Sequence, residues 1–443
     1  MLRQTTTTLT ELEGIAARAR REPTGTFANL MHLLSAEFLA VCFQELRKTA
    51  APGVDGETWE AYAADLPQQL ARLVDWLKRG QYWPQPVRRV YIPKGEHAVR
   101  PLEIPTVQDK LVQLAMAKVL AAIFEGDFLP VSYGYRPGRG AHQALQAMET
   151  CLMTCPMTTV IDVDIKGFFD SVDHAKLMIC LQRRVADRKF LRLIERFLKA
   201  GVMEDGAYHE TEQGTPQGGI LSPLLSNIFL HYVLDRWFTR QVLPRLAGEA
   251  ALFRYADDFV ICTQDPGEAC LLLQAIRDRF RRCGLTVSEE KTRLLSFGRK
   301  VWARRLAGAG KPETFDFLGF THYVGTSRKG TFKVGRLTSR TKFRRSLQAL
   351  KAWLQRVRNH PVRDWWPLLA AKLQGHYQYY GVSGNSVALA RYAHHALQYV
   401  HQALARRSQH APGLWDWLMR YLTRFPLPRP RIIHRWYAAE SVR

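Results

Sequence analysis

The feature that most constrains this chain is a pair of adjacent carboxylates, Asp257 and Asp258. They sit inside a run that is otherwise apolar, β-branched or aromatic, Phe253-Arg254-Tyr255-Ala256-Asp257-Asp258-Phe259-Val260-Ile261-Cys262. Apolar residues on both flanks predict two buried strands joined by a tight turn, with the acids at the bend. Side-by-side carboxylates repel each other and resist burial, so such a place asks for a compensating cation. The plain alternative is a solvated hairpin tip with acidic turn residues. Choosing between them requires a third acid, a grip for phosphate and a track for a polyanion elsewhere in the chain.

The 443 residues are too many for one simple core, and an apolar content of 47% is ordinary for a globular protein. The net charge of +23 is not ordinary and points to a polyanion, either nucleic acid or an acidic membrane surface. It is also uneven: the last 127 residues hold 22 Lys and Arg against 3 Asp and Glu, whereas the first 316 hold 41 against 37. A nearly balanced body followed by a strongly cationic region suits a polyanion-binding module. The 7 cysteines show no repeated CxxC pair, which argues for reduced thiols in a cytosolic protein. The N-terminus lacks the apolar core of a signal peptide, and no stretch of about 18 uncharged apolar residues predicts a membrane span.

Several other stretches bear chemistry. Lys94 and Arg100 flank a glycine-containing loop between extended segments; they are either a clamp for a triphosphate or two solvated surface charges. Residues 107–124 predict an amphipathic packing helix. Tyr133-Gly134-Tyr135-Arg136-Pro137-Gly138-Arg139-Gly140 interleaves aromatic rings, arginines and glycines, suited to base stacking and backbone contact with a nucleic acid, or to a plain surface loop. Thr159-Val160-Ile161-Asp162-Val163-Asp164-Ile165-Lys166-Gly167-Phe168-Phe169 predicts a β-branched strand that places Asp162 and Asp164 on one face. A long helix is expected over roughly 174–200. Gly214–Ser222 is a glycine-rich loop leading into a helix over 223–243, with Ser222 as cap and Pro223 as first residue. Its backbone N–H groups and Gln217 are placed to hold a nucleotide, or form only a tight turn. Asp265 and Pro266 start another helix, and Phe315–Phe320 reads as a strand. Beyond residue 323 the pattern is helical and basic. Residues 338–358 carry Arg340, Arg344 and Arg345 opposite an apolar face, another helix covers 362–380, and the Pro-rich tail is extended.

In their order these blocks resemble the reverse transcriptases encoded by bacterial group II introns, over about residues 50–435. The matching motifs are GVDG at 53–56, IPK and RPLEIP within 92–105, YGYRPGR at 133–139 and DIKGFFD at 164–170. They continue with GTPQGGILSPLLSNI at 214–228, RYADDF at 254–259 and FLGF at 317–320. Each is weak alone, but seven in register are not accidental.

The resemblance implies an α+β right-hand polymerase, with fingers and an antiparallel-sheet palm followed by an α-helical thumb and maturase region. The implied division is an N-terminal helical extension over 1–50, fingers and palm over 51–322, thumb over 323–381 and a basic nucleic-acid-binding region over 382–443. It implies RNA-directed DNA synthesis, with binding of intron RNA to assist splicing and retrohoming. Asp164, Asp257 and Asp258 would be the catalytic carboxylates holding two Mg²⁺ ions roughly 3.5–4 Å apart. Asp162 is the second choice for a ligand and Lys291 a weaker site candidate. Lys94, Arg100 and Gln217 match residues that hold the deoxynucleoside triphosphate, and Phe169 matches the aromatic that excludes a ribose 2′-hydroxyl. FLGF matches the segment that supports the primer end, and LQGHYQYYG at 373–381 looks like part of the thumb.

Tyr135, Arg136, Arg340, Arg344 and Arg345 are the nucleic-acid candidates, and the expected partners are RNA template, intron RNA and a DNA primer or target, in the bacterial cytosol or nucleoid. Glu103 stands where the family usually has Gly; it either weakens the triphosphate contact or turns away to pair with a cation. No cysteine follows Cys283, so the endonuclease of many relatives, and with it target cleavage, is not expected. The competing readings are a related enzyme without an intron, working in defence or repair, and a non-catalytic splicing factor.

Overall fold

The computed structural model describes residues 2–93, 99–407 and 413–436. Its strands are β1 (Val87–Pro93), β2 (Val99–Ile104), β3 (Thr159–Val163), β4 (Val202–Glu204), β5 (Ala207–His209), β6 (Ala250–Tyr255), β7 (Asp258–Thr263), β8 (Arg293–Ser296), β9 (Phe315–Phe317), β10 (Phe320–Thr326) and β11 (Phe332–Thr338). The chain divides into two compact units: residues up to 144 with 161–294, and 145–160 with those from 295 onward. The architecture is α+β, as expected. Among the described residues no helix is long and apolar enough to cross a membrane.

The first unit holds two sheets, of order β2-β1-β4-β5 and β6-β7-β3-β8. Its core is built around the helix Val107–Phe124. Leu111, Val112, Ala115, Met116, Val119, Leu120, Ile123 and Phe124 are all fully buried, while Lys110, Leu114, Ala117, Lys118 and Ala121 form a half-exposed strip, so the helix packs on one face as its spacing predicts. Thr106 caps it by accepting from the Asp109 N–H at 3.1 Å, and Asp109 accepts from the Tyr82 hydroxyl at 2.6 Å.

Two expected helices are interrupted. The stretch 174–200 forms His174–Gln182 and Arg188–Leu198. Asp187 starts the second by accepting from Lys189 and Phe190 N–H, and its other oxygen accepts from Leu30 and Met31 N–H. One carboxylate thus caps a helix and anchors the N-terminal segment, which periodicity along the helix cannot reveal. The helix after the glycine-rich loop is α-helical only over Ser222–Leu230 and continues through wider π-type turns at His231–Asp235 and Phe238–Val242. Leu221, not Ser222, occupies the capping position.

The second unit contains the antiparallel sheet β11-β10-β9 and the helices Arg340–Val357, Val362–Tyr380, Ser386–Ala405 and Leu414–Arg424. Leu350, Leu354, Trp365, Leu369, Tyr377 and Val400 lie in the core between these helices. The stretch 315–320, expected as one strand, is a strand, a turn and a second strand. Phe317 pairs with Phe320 while Leu318 and Gly319 turn the chain at φ 49° and 81°. Two consecutive positive φ values define the hairpin turn that suits twisted strands. The Tyr379 hydroxyl donates to the Leu318 carbonyl at 2.8 Å, fixing that turn from the helix Val362–Tyr380.

Two buried histidines of this unit make its stability depend on pH. His322 stacks on Phe315 at 5.0 Å and His376 on Tyr392 at 3.5 Å. Burial holds both rings neutral, lowering them from 6.5 to about 3 and about 4. The folded state therefore binds fewer protons than the unfolded chain below pH 6.5. Their contribution is complete above that value and is lost as pH falls toward the folded pKa values. Replacing His322 with Phe should flatten the fall in unfolding free energy below pH 6.5 by about 1.4 kcal/mol per pH unit, the slope of one proton. Urea titrations across pH 7.5 to 4.5 measure this, and an unchanged slope would count against it.

Candidate active site

The acids stand at the ends of neighbouring strands. In the sheet β6-β7-β3-β8, β7 opens on Asp258, and β3, hydrogen-bonded to β7, ends one residue before Asp164. The β6–β7 hairpin closes on the pair Tyr255 and Asp258. Ala256 and Asp257 therefore form the turn, with Ala256 left-handed at φ 57°, and Asp258 begins the strand. Asp164 and Asp257 are half-buried and Asp258 is exposed.

What holds this turn is Arg254, fully buried in β6. Its Nε and Nη2 donate to the two Asp235 oxygens at 2.7 and 2.5 Å. Its Nη1 donates to Asn227 Oδ1 at 2.9 Å and to the Ala256 carbonyl at 3.0 Å, and Nη2 also donates to Ser132 Oγ at 2.8 Å. Every N–H of the guanidinium is satisfied, which is what a buried charge needs. Asn227 in turn donates to the Gly134 carbonyl at 2.7 Å. A Cβ on Gly134 would lie 2.5 Å from the Ala256 nitrogen, so only glycine lets the two loops meet. Sequence reading singled out the motifs but not this network. Its signal was there, a lone arginine in an apolar strand and a lone aspartate in an aliphatic helix, each of which demands a partner when buried.

Asp164 is held by the following segment. Its carbonyl accepts from Ser288 N–H at 2.8 Å, and Lys291 Nζ approaches its Oδ2 at 3.2 Å. Among the described residues no three His, Cys, Asp or Glu side chains gather tightly enough to hold an ion by themselves. The donors nonetheless have the right chemistry: all are hard carboxylate oxygens, and an ammonium already rests against one of them. Such a set fits a divalent cation that takes its remaining ligands from substrate phosphate and water.

Of the nucleotide candidates, Lys94 lies outside the described residues. Arg100 is exposed on β2, opposite Ile92 of β1. Phe168 is buried, whereas Phe169, in edge contact with it at 5.4 Å, remains half-exposed. Gln217 donates through Nε2 to Asp170 Oδ1 at 3.1 Å. A cavity of 910 Å³ is walled by Phe169, Asp170, Thr215, Pro216, Arg89 and Glu103 among others, and none of the three acids lines it. Glu103 is buried and paired: its carboxylate meets Arg89 at 2.6 Å and accepts from the Gln217 N–H at 2.8 Å. The loop's N–H groups are thus largely used within the protein, since Gln113 Oε1 also accepts from Ile220 and Leu221 at 2.9 and 3.4 Å. The expectation that they cradle a nucleotide is corrected accordingly.

Tyr135 is 57% exposed and adopts a left-handed backbone at φ 55°. Burial of part of the ring raises its hydroxyl pKa, with smaller contributions from Tyr255 and Asp257 that Arg100 opposes, so residues of three motifs meet around it. Strained backbone of this kind is most often kept where it serves a site. Arg136 is a correction: it points inward, with its guanidinium on Glu125 at 2.7 Å and on the Leu129 and Ser132 carbonyls, and presents nothing to a nucleic acid. Arg340, Arg344 and Arg345 are exposed on the first two turns of the helix Arg340–Val357.

The aspartate after β3 and the acidic turn before β7 thus belong to neighbouring strands of one sheet. Residues 92–322, just over half of the chain, match the reverse transcriptase (RNA-dependent DNA polymerase) family, and the chain belongs to it. It is similar to Protein YkfC of Escherichia coli (strain K12), 35% identical over 335 residues, 69% of this chain and 85% of that protein. It is 38% identical over 229 residues to the group II intron-encoded protein LtrA of Lactococcus lactis subsp. cremoris, covering 51% of this chain and 37% of that protein. A shorter match, 35% over 97 residues, is to the nuclear intron maturase 1, mitochondrial, of Arabidopsis thaliana, covering 22% of this chain and 13% of that protein. The chain is thus an RNA-directed DNA polymerase related to group II intron-encoded reverse transcriptases and maturases, a class that works on nucleic acid with divalent metal ions.

Replacing Asp235 with Ala leaves Arg254 charged, buried and without its carboxylate, which should cost about 3–5 kcal/mol. Thermal unfolding should show the loss directly. A near-normal midpoint would mean that the turn does not depend on this pair.

Proposed function

We propose that the chain copies RNA into DNA by nucleotidyl transfer at Asp164, Asp257 and Asp258, and that it binds group II intron RNA to assist splicing and retrohoming. The observation that supports this best is that the aspartate following β3 and the acidic turn preceding β7 belong to neighbouring strands, the turn's backbone being held by a fully satisfied buried arginine. Two Mg²⁺ ions bound to these carboxylates would activate the primer hydroxyl and neutralise the leaving pyrophosphate. The rest falls to side chains. Lys291 lies close enough to balance Asp164 before substrate arrives. Arg100, with Lys94, neutralises the triphosphate, Gln217 orients the nucleotide, and Phe169 lies beneath the sugar and rejects a 2′-hydroxyl. Tyr135 offers a stacking face near Asp257.

In this reading residues 1–50 form an N-terminal extension, 51–322 fingers and palm, 323–381 the thumb, and 382–443 a basic nucleic-acid-binding region. Arg340, Arg344 and Arg345 give the thumb a cationic face for the phosphates of template and intron RNA, alongside a DNA primer or target. The FLGF turn, fixed by Tyr379, supports the primer end. With these partners, the proposed location is the bacterial cytosol or nucleoid.

Primer extension on an RNA template tests the acids. Asp257→Ala should lower the rate more than about 100-fold, a loss of about 2.7 kcal/mol in the transition state, with the fold intact by circular dichroism. A folded variant that still makes cDNA at the normal rate would refute the assignment. Phe169→Val should open the sugar pocket and admit ribonucleotides, seen as a rise in their kcat/KM relative to deoxynucleotides; unchanged discrimination would remove Phe169 from that role.

A further inference from the structure

Glu103 stands where the resembling family usually has Gly, and here it joins two elements. It lies on β2 and is 7% exposed. Its Oε1 meets Arg89 Nη2 of β1 at 2.6 Å, and Arg89 is shared with Glu204 of β4 at 3.1 Å, so the carboxylate is set by the sheet. Its Oε2 accepts from the Gln217 N–H at 2.8 Å, and its own N–H donates to the Gln217 carbonyl at 2.7 Å. Both backbone polar groups of Gln217 are therefore held by one residue. The next residue, Gly218, is at φ 124°, and a Cβ there would lie 2.6 Å from the Glu103 carbonyl, so the loop rests directly on β2. Beyond this anchor the Gln217 side chain reaches Asp170, beside Phe169.

We propose that Glu103 is a positioning residue for the incoming deoxynucleotide, acting through Gln217. A loop residue whose backbone is solvated must be ordered when substrate binds, and that cost weakens affinity. The Glu103 carboxylate orders Gln217 beforehand, while Arg89 neutralises the charge that would otherwise repel a triphosphate. Removing an interaction of this kind raises KM for the nucleotide and leaves kcat nearly unchanged. The proposal rests on Gln217 lining the nucleotide pocket.

The test is steady-state primer extension by the full chain with Glu103→Ala, Glu103→Gln, Gln217→Ala and the Glu103→Ala/Gln217→Ala double variant. Glu103→Ala should raise the nucleotide KM about tenfold, equivalent to about 1.4 kcal/mol, with kcat within about twofold. Glu103→Gln keeps an oxygen for the Gln217 N–H and should stay within about threefold of the parent KM. The double variant should bind nucleotide no worse than Gln217→Ala alone, because the two act in series. If Gln217→Ala leaves KM unchanged, the pocket reading of Gln217 falls and this proposal with it. If Gln217→Ala raises KM but Glu103→Ala does not, or the two effects multiply, the clamp is overturned while the pocket reading stands. A Glu103→Ala protein that loses kcat at constant KM would show a merely structural role and overturn it as well.

Discussion

The site depends on the buried ion pair of Arg254 and Asp235. A charge with no exposure is tolerable only when its hydrogen-bonding capacity is filled, and Arg254 meets that condition with a carboxylate, an amide, a hydroxyl and a carbonyl. These partners come from the loop at Ser132, the helix at Asn227, its wider turn at Asp235 and the acidic hairpin itself. Asn227 extends the network to the Gly134 carbonyl. Segments far apart in the sequence are thus referred to one guanidinium, and the Ala256 carbonyl that it holds lies immediately before Asp257. The acidic turn, with Ala256 in the left-handed region, is held by a hydrogen bond from its buried, charged neighbour.

The nucleotide side follows the same rule. Glu103, Arg89 and Glu204 tie β2, β1 and β4 together, and Glu103 and Gln113 fill the N–H groups of the glycine-rich loop from below. Buried polar groups therefore act as connectors between elements, while the side chains of Phe169 and Gln217, proposed to meet the nucleotide, are left half-exposed. The second unit divides its polar residues differently. Aromatic contacts and neutral buried histidines fill its interior, and its arginines at 340, 344 and 345 face outward, where a polyanion can reach them.

Much of this was legible from local pattern. The hairpin around Asp257, the strand leading to Asp164, the Asp265 cap and the helices near 340–357 and 362–380 follow from apolar period and capping chemistry, which act over a few residues. The misreadings share one cause. The break at Asp187, the inward turn of Arg136 and the filled N–H groups near Gln217 each depend on partners that are not periodic neighbours. The turn at Leu318 and Gly319 was missed because the six-residue run Phe315–Phe320 is mostly apolar whether or not it bends.

The sequence by itself determined that two adjacent acids would sit at the end of buried strands, that a third would end a neighbouring strand, and that the C-terminal region would be cationic. Those are consequences of side-chain order along a short stretch of backbone. Only the tertiary structure decided which charges face a ligand and which hold the fold. Arg136 and Arg254 were drawn inside, Glu103 was paired, and Arg100, Arg340, Arg344 and Arg345 were left outside. The difference is burial: desolvation makes an ion pair obligatory, and whether a charge is desolvated depends on what packs over it from elsewhere in the chain.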